Sequence, residues 1–282
     1  QLAVLTARDL RHGPVECFFT VDEETGLTGA NALQPGFFSG KILLNLDSED
    51  EGEIFIGCAG GIDTVAVFQY QEEPVAAGNL AVELSVTGLT GGHSGDDIHK
   101  GLGNANKILA RFLRSAQSSL GISLARFDGG NLRNAIAREA RAIVTLPATL
   151  KTKLIANFEA FATLVKFEFA KTEPGLSLTA DSVPTPASVM GKAAQARLLN
   201  ALVAVPHGVL EWSTRMPGMV ETSTNLASVK IPGNGEIVIT TSQRSEIESR
   251  KTMAAAMVES VFELAGATVT HSDGYPGWAP NP

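Results

Sequence analysis

The sequence predicts an α/β protein: part of a βαβ sheet domain, followed by a large α+β domain. Three observations carry this. Two short apolar runs each end in acids, at residues 22–24 and at Asp47, with a small-residue helix candidate between them. Further on, Leu80, Val82, Leu84 and Val86 alternate with Ala81, Glu83, Ser85 and Thr87, the period of a strand with one solvated face. Apolar stripes at helical spacing then recur, as in Leu102, Ala105, Leu109 and Phe112, and in Leu154, Phe158, Phe161 and Val165.

Taken in order, residues 2–10 read as a helix broken by Gly13-Pro14. Residues 15–21 read as a buried strand, 27–33 as a short helix stopped before Pro35, and 41–46 as a second strand. Such a βαβ unit has parallel strands and a right-handed connection. Both acidic ends then share one sheet edge, where open α/β sheets keep their sites. Residues 53–61 resemble a strand entering a glycine-rich turn and mark the border of a first domain, 1–61. In 62–272, strands are expected at 80–87, 122–127, 142–146, 226–231, 236–241 and 267–270. Residues 193–203 form a further helix candidate, and Met253, Met257, Val261 and Leu264 form the apolar stripe of a last one. Pro232-Gly233-Asn234-Gly235 is a hairpin signal. This stretch reads as two sheet-and-helix units in tandem, and 273–282 as a return to the first domain.

The length of 282 residues suggests about two domains. Hydrophobic residues at 44% and charged ones at 18% are enough for a real core. A net charge of −8 argues against nucleic acid as partner, because phosphate binding needs a basic face. No run is long and apolar enough to span a membrane, and no basic leader precedes an apolar segment, so the cytoplasm is the expected compartment. The chain starts with Gln, as a piece of a longer protein would. Cys17 and Cys58 lack metal or redox spacing and read as buried thiols.

Glu23, Glu24 and Asp47 have the makings of a metal-hydrolase corner. Such enzymes need carboxylates that bind metal and one free carboxylate as general base. Neighbouring glutamates point in different directions, so one can serve each role. The plainer reading is solvated loop acids, since adjacent carboxylates repel unless a cation holds them.

Longer runs go further: TVDEETG (20–26), LNLDSEDEGEIFIGCAGGID (44–63), GLTGGHSGDDIHKGLGNANK (88–107), GGNLRNAIAREA (129–140), VETSTN (220–225) and GYPGW (274–278). In order and composition they resemble the aminoacyl-histidine dipeptidase family of co-catalytic zinc exopeptidases. The resemblance implies a catalytic domain with an inserted lid or dimerisation domain, 62–272. It implies two zincs in the intact active site and small peptide substrates of the Xaa-His type, with a homodimer formed through the lid. Glu23 matches the general base, and Glu24 and Asp47 match metal ligands. His93 matches the lid histidine that stabilises the tetrahedral oxyanion. Asn134 and Arg244 match substrate-holding positions, Arg244 on the C-terminal carboxylate.

Each has a plainer alternative. His93 would be a glycine-flanked loop histidine, Arg244 a surface charge and Asn134 a turn cap. His12, His99, His207 and His271 match no metal position and read as structural or solvated. The family's His-x-Asp motif and bridging aspartate are expected before Gln1, and its last metal histidine beyond Pro282. The chain therefore reads as an internal fragment. Two ligands make a poor zinc site, so this chain alone is expected to bind metal weakly and not to hydrolyse peptides. Ala137 stands where the family commonly has proline. Two rival readings stay open: a non-catalytic lid and dimerisation module, and a related aminoacylase or carboxypeptidase.

Overall fold

The computed structural model of the chain describes residues 2–22, 28–44, 52, 55–231 and 235–278. The chain divides into two units, Gln1–Phe55 and Ile56–Pro282. In the first, the described elements are two short helices, α1 (Leu2–Thr6) and α2 (Thr28–Asn31). The strand expected at 15–21 does not form, and residues 41–44 of the second expected strand carry no ladder either; its end lies outside the described residues. Ile42, Leu43 and Leu44 are exposed rather than buried. A parallel strand takes its hydrogen bonds and its burial from neighbouring strands, and the described residues of this unit provide none. Local contacts hold it instead. Phe18, Phe37 and Phe38 meet edge to face with centroids 5.5 to 5.9 Å apart. Glu16 accepts hydrogen bonds from the hydroxyl and the amide of Ser39, which hold its carboxyl below the usual range.

The second unit contains β1 (Gly60–Gln69), β2 (Glu72–Pro74), β3 (Asn79–Thr87), β4 (Gly92–His93), α3 (Ala105–Leu120), β5 (Ser123–Gly129), β6 (Ala135–Ile136), β7 (Ala140–Pro147), α4 (Lys151–Glu168), β8 (Ser177–Val183), β9 (Ser188–Met190), α5 (Lys192–Ala204), β10 (Gly208–Trp212), β11 (Val220–Lys230), β12 (Glu236–Ser245), α6 (Glu248–Leu264) and β13 (Thr268–His271). One antiparallel sheet runs β13-β1-β12-β11-β5-β7-β3-β8, with β10 added on β11.

That order is one motif used twice. Residues 79–183 run strand, helix, strand, strand, helix, strand, and their main strands lie in the order β5-β7-β3-β8. Strands β1, β11, β12 and β13 with helices α5 and α6 repeat that pattern, in the order β11-β12-β1-β13. Both are the split βαβ arrangement. The two copies are nested, the inner one inserted between β1 and α5 of the outer. The chain enters and leaves the insertion side by side, along the β2–β9 ribbon. The seam between the copies is short: Val229 faces Gly129 and Lys230 faces Asp128.

The helices join the copies more firmly. A single apolar cluster includes Phe68 and Phe262 of the outer copy, Leu84, Leu109 and Phe158 of the inner, and Leu198, Leu199 and Leu202 of α5. Helix α3 starts where the Asn104 side chain accepts the Lys107 N–H and stops at Gly121, whose left-handed φ of 66° suits glycine. Asn104 also donates to the Leu226 carbonyl at 2.8 Å, tying this helix to β11.

Two expectations need correction. In α6 the face buried on the sheet is Lys251, Ala254, Ala255, Val258 and Phe262, while Met253, Met257 and Leu264 are exposed. The methionine stripe has the right period but the wrong phase, because small alanines let the helix approach the sheet more closely than methionines would. The cysteines are both free, and neither is fully buried: Cys17 is half-buried and Cys58 exposed. Strand β3 also departs in part, since Ala81 and Ser85, on its expected solvated face, are buried. They are small and lie on a strand flanked by both β7 and β8.

A partly buried pair of basic groups fastens the end of α5. Lys107 Nζ donates to the carbonyls of Leu202, Val203 and Val205 at 2.8–2.9 Å, and burial lowers its pKa to about 8. His207 accepts the Leu226 N–H on Nδ1 at 3.3 Å. Burial, and then the charge of Lys107, push the His207 pKa down to about 4. The unfolded chain, with an ordinary histidine, takes up this proton first. Stability should therefore fall as pH drops from about 6.5 to about 4, by on the order of 2 kcal/mol from this group. His207→Gln keeps an acceptor for Leu226 and should flatten that part of the profile in urea unfolding. An unchanged slope would rule out His207 as its source.

Candidate functional site around His93 and Arg244

His93 sits in β4, paired with β6, so that Gly92 faces Ile136 and His93 faces Ala135. The ladder brings Asn134 alongside: its carbonyl accepts the Ser94 N–H at 2.7 Å. The turn beyond is tied by Asp97, which accepts the His93 N–H at 2.7 Å and pairs with Lys100. The Lys100 hydrogen bond, and after it that of His93, hold the Asp97 carboxyl below the usual range. His93 Nδ1 lies 3.0 Å from Asp96 Oδ2 and 3.4 Å from the Gly95 and Asp96 amides. Nδ1 is thus the engaged nitrogen, facing Asp96 and both amides, while Nε2 has no partner among the described residues. A histidine oriented through one nitrogen is ready to act through the other.

Arg244 lies on β12, facing Gly61 of β1 and Ser223 of β11. Its Nη1 donates to the Tyr275 hydroxyl at 2.9 Å. Gly95 is where His93 and Arg244 meet. A β-carbon on Gly95 would lie 3.3 Å from His93 Cε1 and 3.5 Å from Arg244 Nη1. A side chain there would press on the His93 ring and lie in contact with the guanidinium.

Three buried polar atoms on these segments have no hydrogen-bond partner among the described residues: Ser94 Oγ, Asn225 Oδ1 and Arg244 Nε. Each such vacancy costs about 1–3 kcal/mol and calls for an explanation such as a ligand or water. Asn225 uses its other atom, Nδ2, to hold the Ala135 carbonyl at 2.8 Å, beside His93 across the β4–β6 ladder. Tyr275 is half-buried, and burial pushes its pKa up, so it stays a neutral phenol near pH 7.

The structure thus brings together His93, the Asn134 main chain and Arg244. The Asn134 side chain is exposed. Glu23, Glu24 and Asp47 lie outside the described residues. Among the described residues no three His, Cys, Asp or Glu side chains stand close enough to hold a metal. A structural zinc needs four donors and a catalytic one at least three, so the described residues do not by themselves fit a zinc centre. The remaining histidines keep to other tasks. His271 bonds Thr64 at 2.9 Å, His99 meets the Trp212 ring edge-on, and His12 bonds the Gly13 carbonyl at 2.7 Å. Tyr275, Asn225 and Glu173 are not among the expected site residues. The runs GYPGW and VETSTN contain the first two; Glu173 has no local signal.

Residues 78–173, the inner copy of the doubled motif up to but not including β8, match the family model of a peptidase dimerisation domain. That defines the class of domain present. The chain is 41% identical over 280 residues to the cytosol non-specific dipeptidase of Escherichia coli K12, covering 99% of this chain and 58% of that protein. It also superposes on the crystal structure of the aminoacylhistidine dipeptidase from Vibrio alginolyticus with a TM-score of 0.88 at 44% identity, covering 99% of this chain and 57% of that one. Through nearly its whole length the chain is therefore similar to these two dipeptidases, in line with the resemblance its motifs carry. It spans a little under three-fifths of the length of these relatives. A match through nearly all of this chain gives no support of its own to the expectation of an internal fragment. No helix among the described residues is long and apolar enough to cross a membrane.

Proposed function

We propose that this chain serves the hydrolysis of dipeptides, with C-terminal histidine preferred, in a metal-dependent peptidase. The observation that supports this most is the meeting of His93 and Arg244 across Gly95, in a chain this similar to two dipeptidases. Arg244 has the fork geometry to hold a peptide's terminal carboxylate. His93 is suited to donate to the scissile carbonyl oxygen as it gains charge, the place where a fixed donor lowers a barrier most. Asn134 would contact the substrate between them. Glu23 is proposed as the base that takes the proton of the attacking water and returns it to the leaving amine. Glu24 and Asp47 are proposed as ligands of the metal, zinc by resemblance and two ions per site. Residues 62–272 are proposed as the lid, with 1–61 and 273–282 on the catalytic side. The cytosolic E. coli relative suggests the same compartment here.

The test is hydrolysis of a Xaa-His dipeptide by the intact enzyme of which this chain would be part, with metal content measured on the same sample. Turnover lost on chelation and restored by zinc is the expected result. Chelator-insensitive turnover, or none after zinc loading, would overturn it. One observation favours a second reading, a dimerisation module without catalysis of its own: the dimerisation-domain match falls in a unit whose described residues bring no metal set together. Bound zinc with no turnover would fit neither reading. No zinc with a dimeric mass by light scattering would favour the module, and a monomeric mass would remove the dimer from both.

A further inference from the structure

We propose that Tyr275 is a positioning residue, turning the Arg244 guanidinium so that its Nε–Nη2 edge receives the substrate carboxylate. The inference rests on the reading of Arg244 as carboxylate anchor and goes beyond it, to how the anchor is aimed. A guanidinium can meet a carboxylate through two parallel N–H groups on one edge. Of the nitrogens at its tip, Nη1 is already committed to the Tyr275 hydroxyl at 2.9 Å. Nε is buried and has no acceptor among the described residues. The edge that remains for an incoming carboxylate is the one shared by Nε and Nη2. An acceptor there would also satisfy the vacant Nε–H, which otherwise remains a standing cost.

Tyr275 is itself held from three sides. Its N–H donates to the Gly61 carbonyl at 2.9 Å, and its carbonyl accepts the Gly61 N–H at 3.1 Å. Lys251 Nζ donates to the same carbonyl at 2.7 Å. The phenol lies directly over Gly61, where a β-carbon would come within 2.7 Å of the ring and the hydroxyl. Gly61 is the residue opposite Arg244 in the β1–β12 ladder. The missing side chain on β1 is therefore the space that lets Tyr275 reach Arg244. An arginine stem fixed in a central strand and a tip tied at Nη1 lose little further freedom on binding, which is what pre-organisation contributes to affinity.

The experiment compares binding of a dipeptide with that of its C-terminal amide, in the unaltered chain and in Tyr275→Phe, which keeps the ring and removes the hydroxyl. The unaltered protein should favour the acid over the amide. The substitution should shrink that preference by roughly fivefold, about the worth of one hydrogen bond. In turnover it should raise KM more than it lowers kcat. A folded Tyr275→Phe protein that keeps the full preference overturns the proposal while leaving the carboxylate anchor standing. An unaltered protein that does not distinguish acid from amide overturns the anchor, and the proposal with it. Nitrogen-15 spectra of the arginine side chains read the aim without a variant. Separate Nη1 and Nη2 signals for Arg244, with an Nε–H that shifts on adding acid but not amide, are expected. Averaged signals would overturn it even if Tyr275→Phe failed to fold.

Discussion

Replacing His93 by alanine in the active enzyme is expected to lower kcat by about two to three orders of magnitude, with metal content and fold unchanged. The size follows from the proposed role, because removing one preorganised donor to an oxyanion costs about 3–4 kcal/mol of transition-state stabilisation. The specificity follows from how His93 is held. Its N–H bond to Asp97 and its ladder to Ala135 are main-chain contacts that alanine retains. Its one close side-chain partner, Asp96, is 85% exposed, and exposed ion pairs contribute little to stability. The melting temperature should therefore move by no more than a degree or two, while turnover collapses. His93→Gln restores an N–H donor on a shorter reach and should recover part of the loss. Steady-state kinetics, metal analysis and thermal melts on the three proteins decide it. Unchanged turnover in His93→Ala would remove the residue from the mechanism; a lost metal would recast it as structural.

Periodicity carried most of the second unit. The alternation from Leu80 to Val86 and the stripe of Leu154, Phe158 and Val165 answer to local geometry, and they form β3 and α4 where expected. The failures are of two physical kinds. Residues 15–21 and 41–44 are apolar enough for buried strands, but a strand exists only with a neighbour, which a single apolar run cannot reveal. The phase of α6 was missed because the deciding residues are alanines, which hydrophobic patterns weigh less than methionines. Nesting was also hidden, since β1 pairs with β12 across the whole inner copy, Gly60 facing Ser245. In the site, His93 and Arg244 stood out in recognisable runs. Tyr275 and Glu173 did not, because each acts on a partner far along the chain: Tyr275 on Arg244, and Glu173 on Thr90 and Gly103.

Glu173 is expected to be the most costly single polar residue to remove near the site. It follows α4 and is 3% exposed, and among the described residues no cation lies within ion-pair distance. Its carboxylate accepts two main-chain N–H groups instead, Thr90 at 2.6 Å and Gly103 at 2.7 Å. Those residues stand near the two ends of the connection from β3 to α3, and His93 lies between them. One side chain therefore latches both ends of the segment that presents the histidine. Charge-assisted bonds of this kind contribute about 1.5–3 kcal/mol each. Glu173→Ala strips both, and the Gly103 N–H is too buried to turn to water, whereas Thr90 is exposed enough to do so. A loss of about 3 kcal/mol in urea unfolding is expected. Glu173→Gln keeps the volume and one carbonyl acceptor but sets its amide group against the second N–H, so it should lose at least half as much. Hydrogen exchange separates a local latch from a general loss. Thr90 and Gly103 amides should exchange faster in both variants, while amides of the β11–β12 ladder keep the protection set by global stability. If the two amides stayed as slow as in the unaltered protein after correction for global stability, the segment would be held by its own turns. The glycine-rich loop around His93 would then need no latch at all.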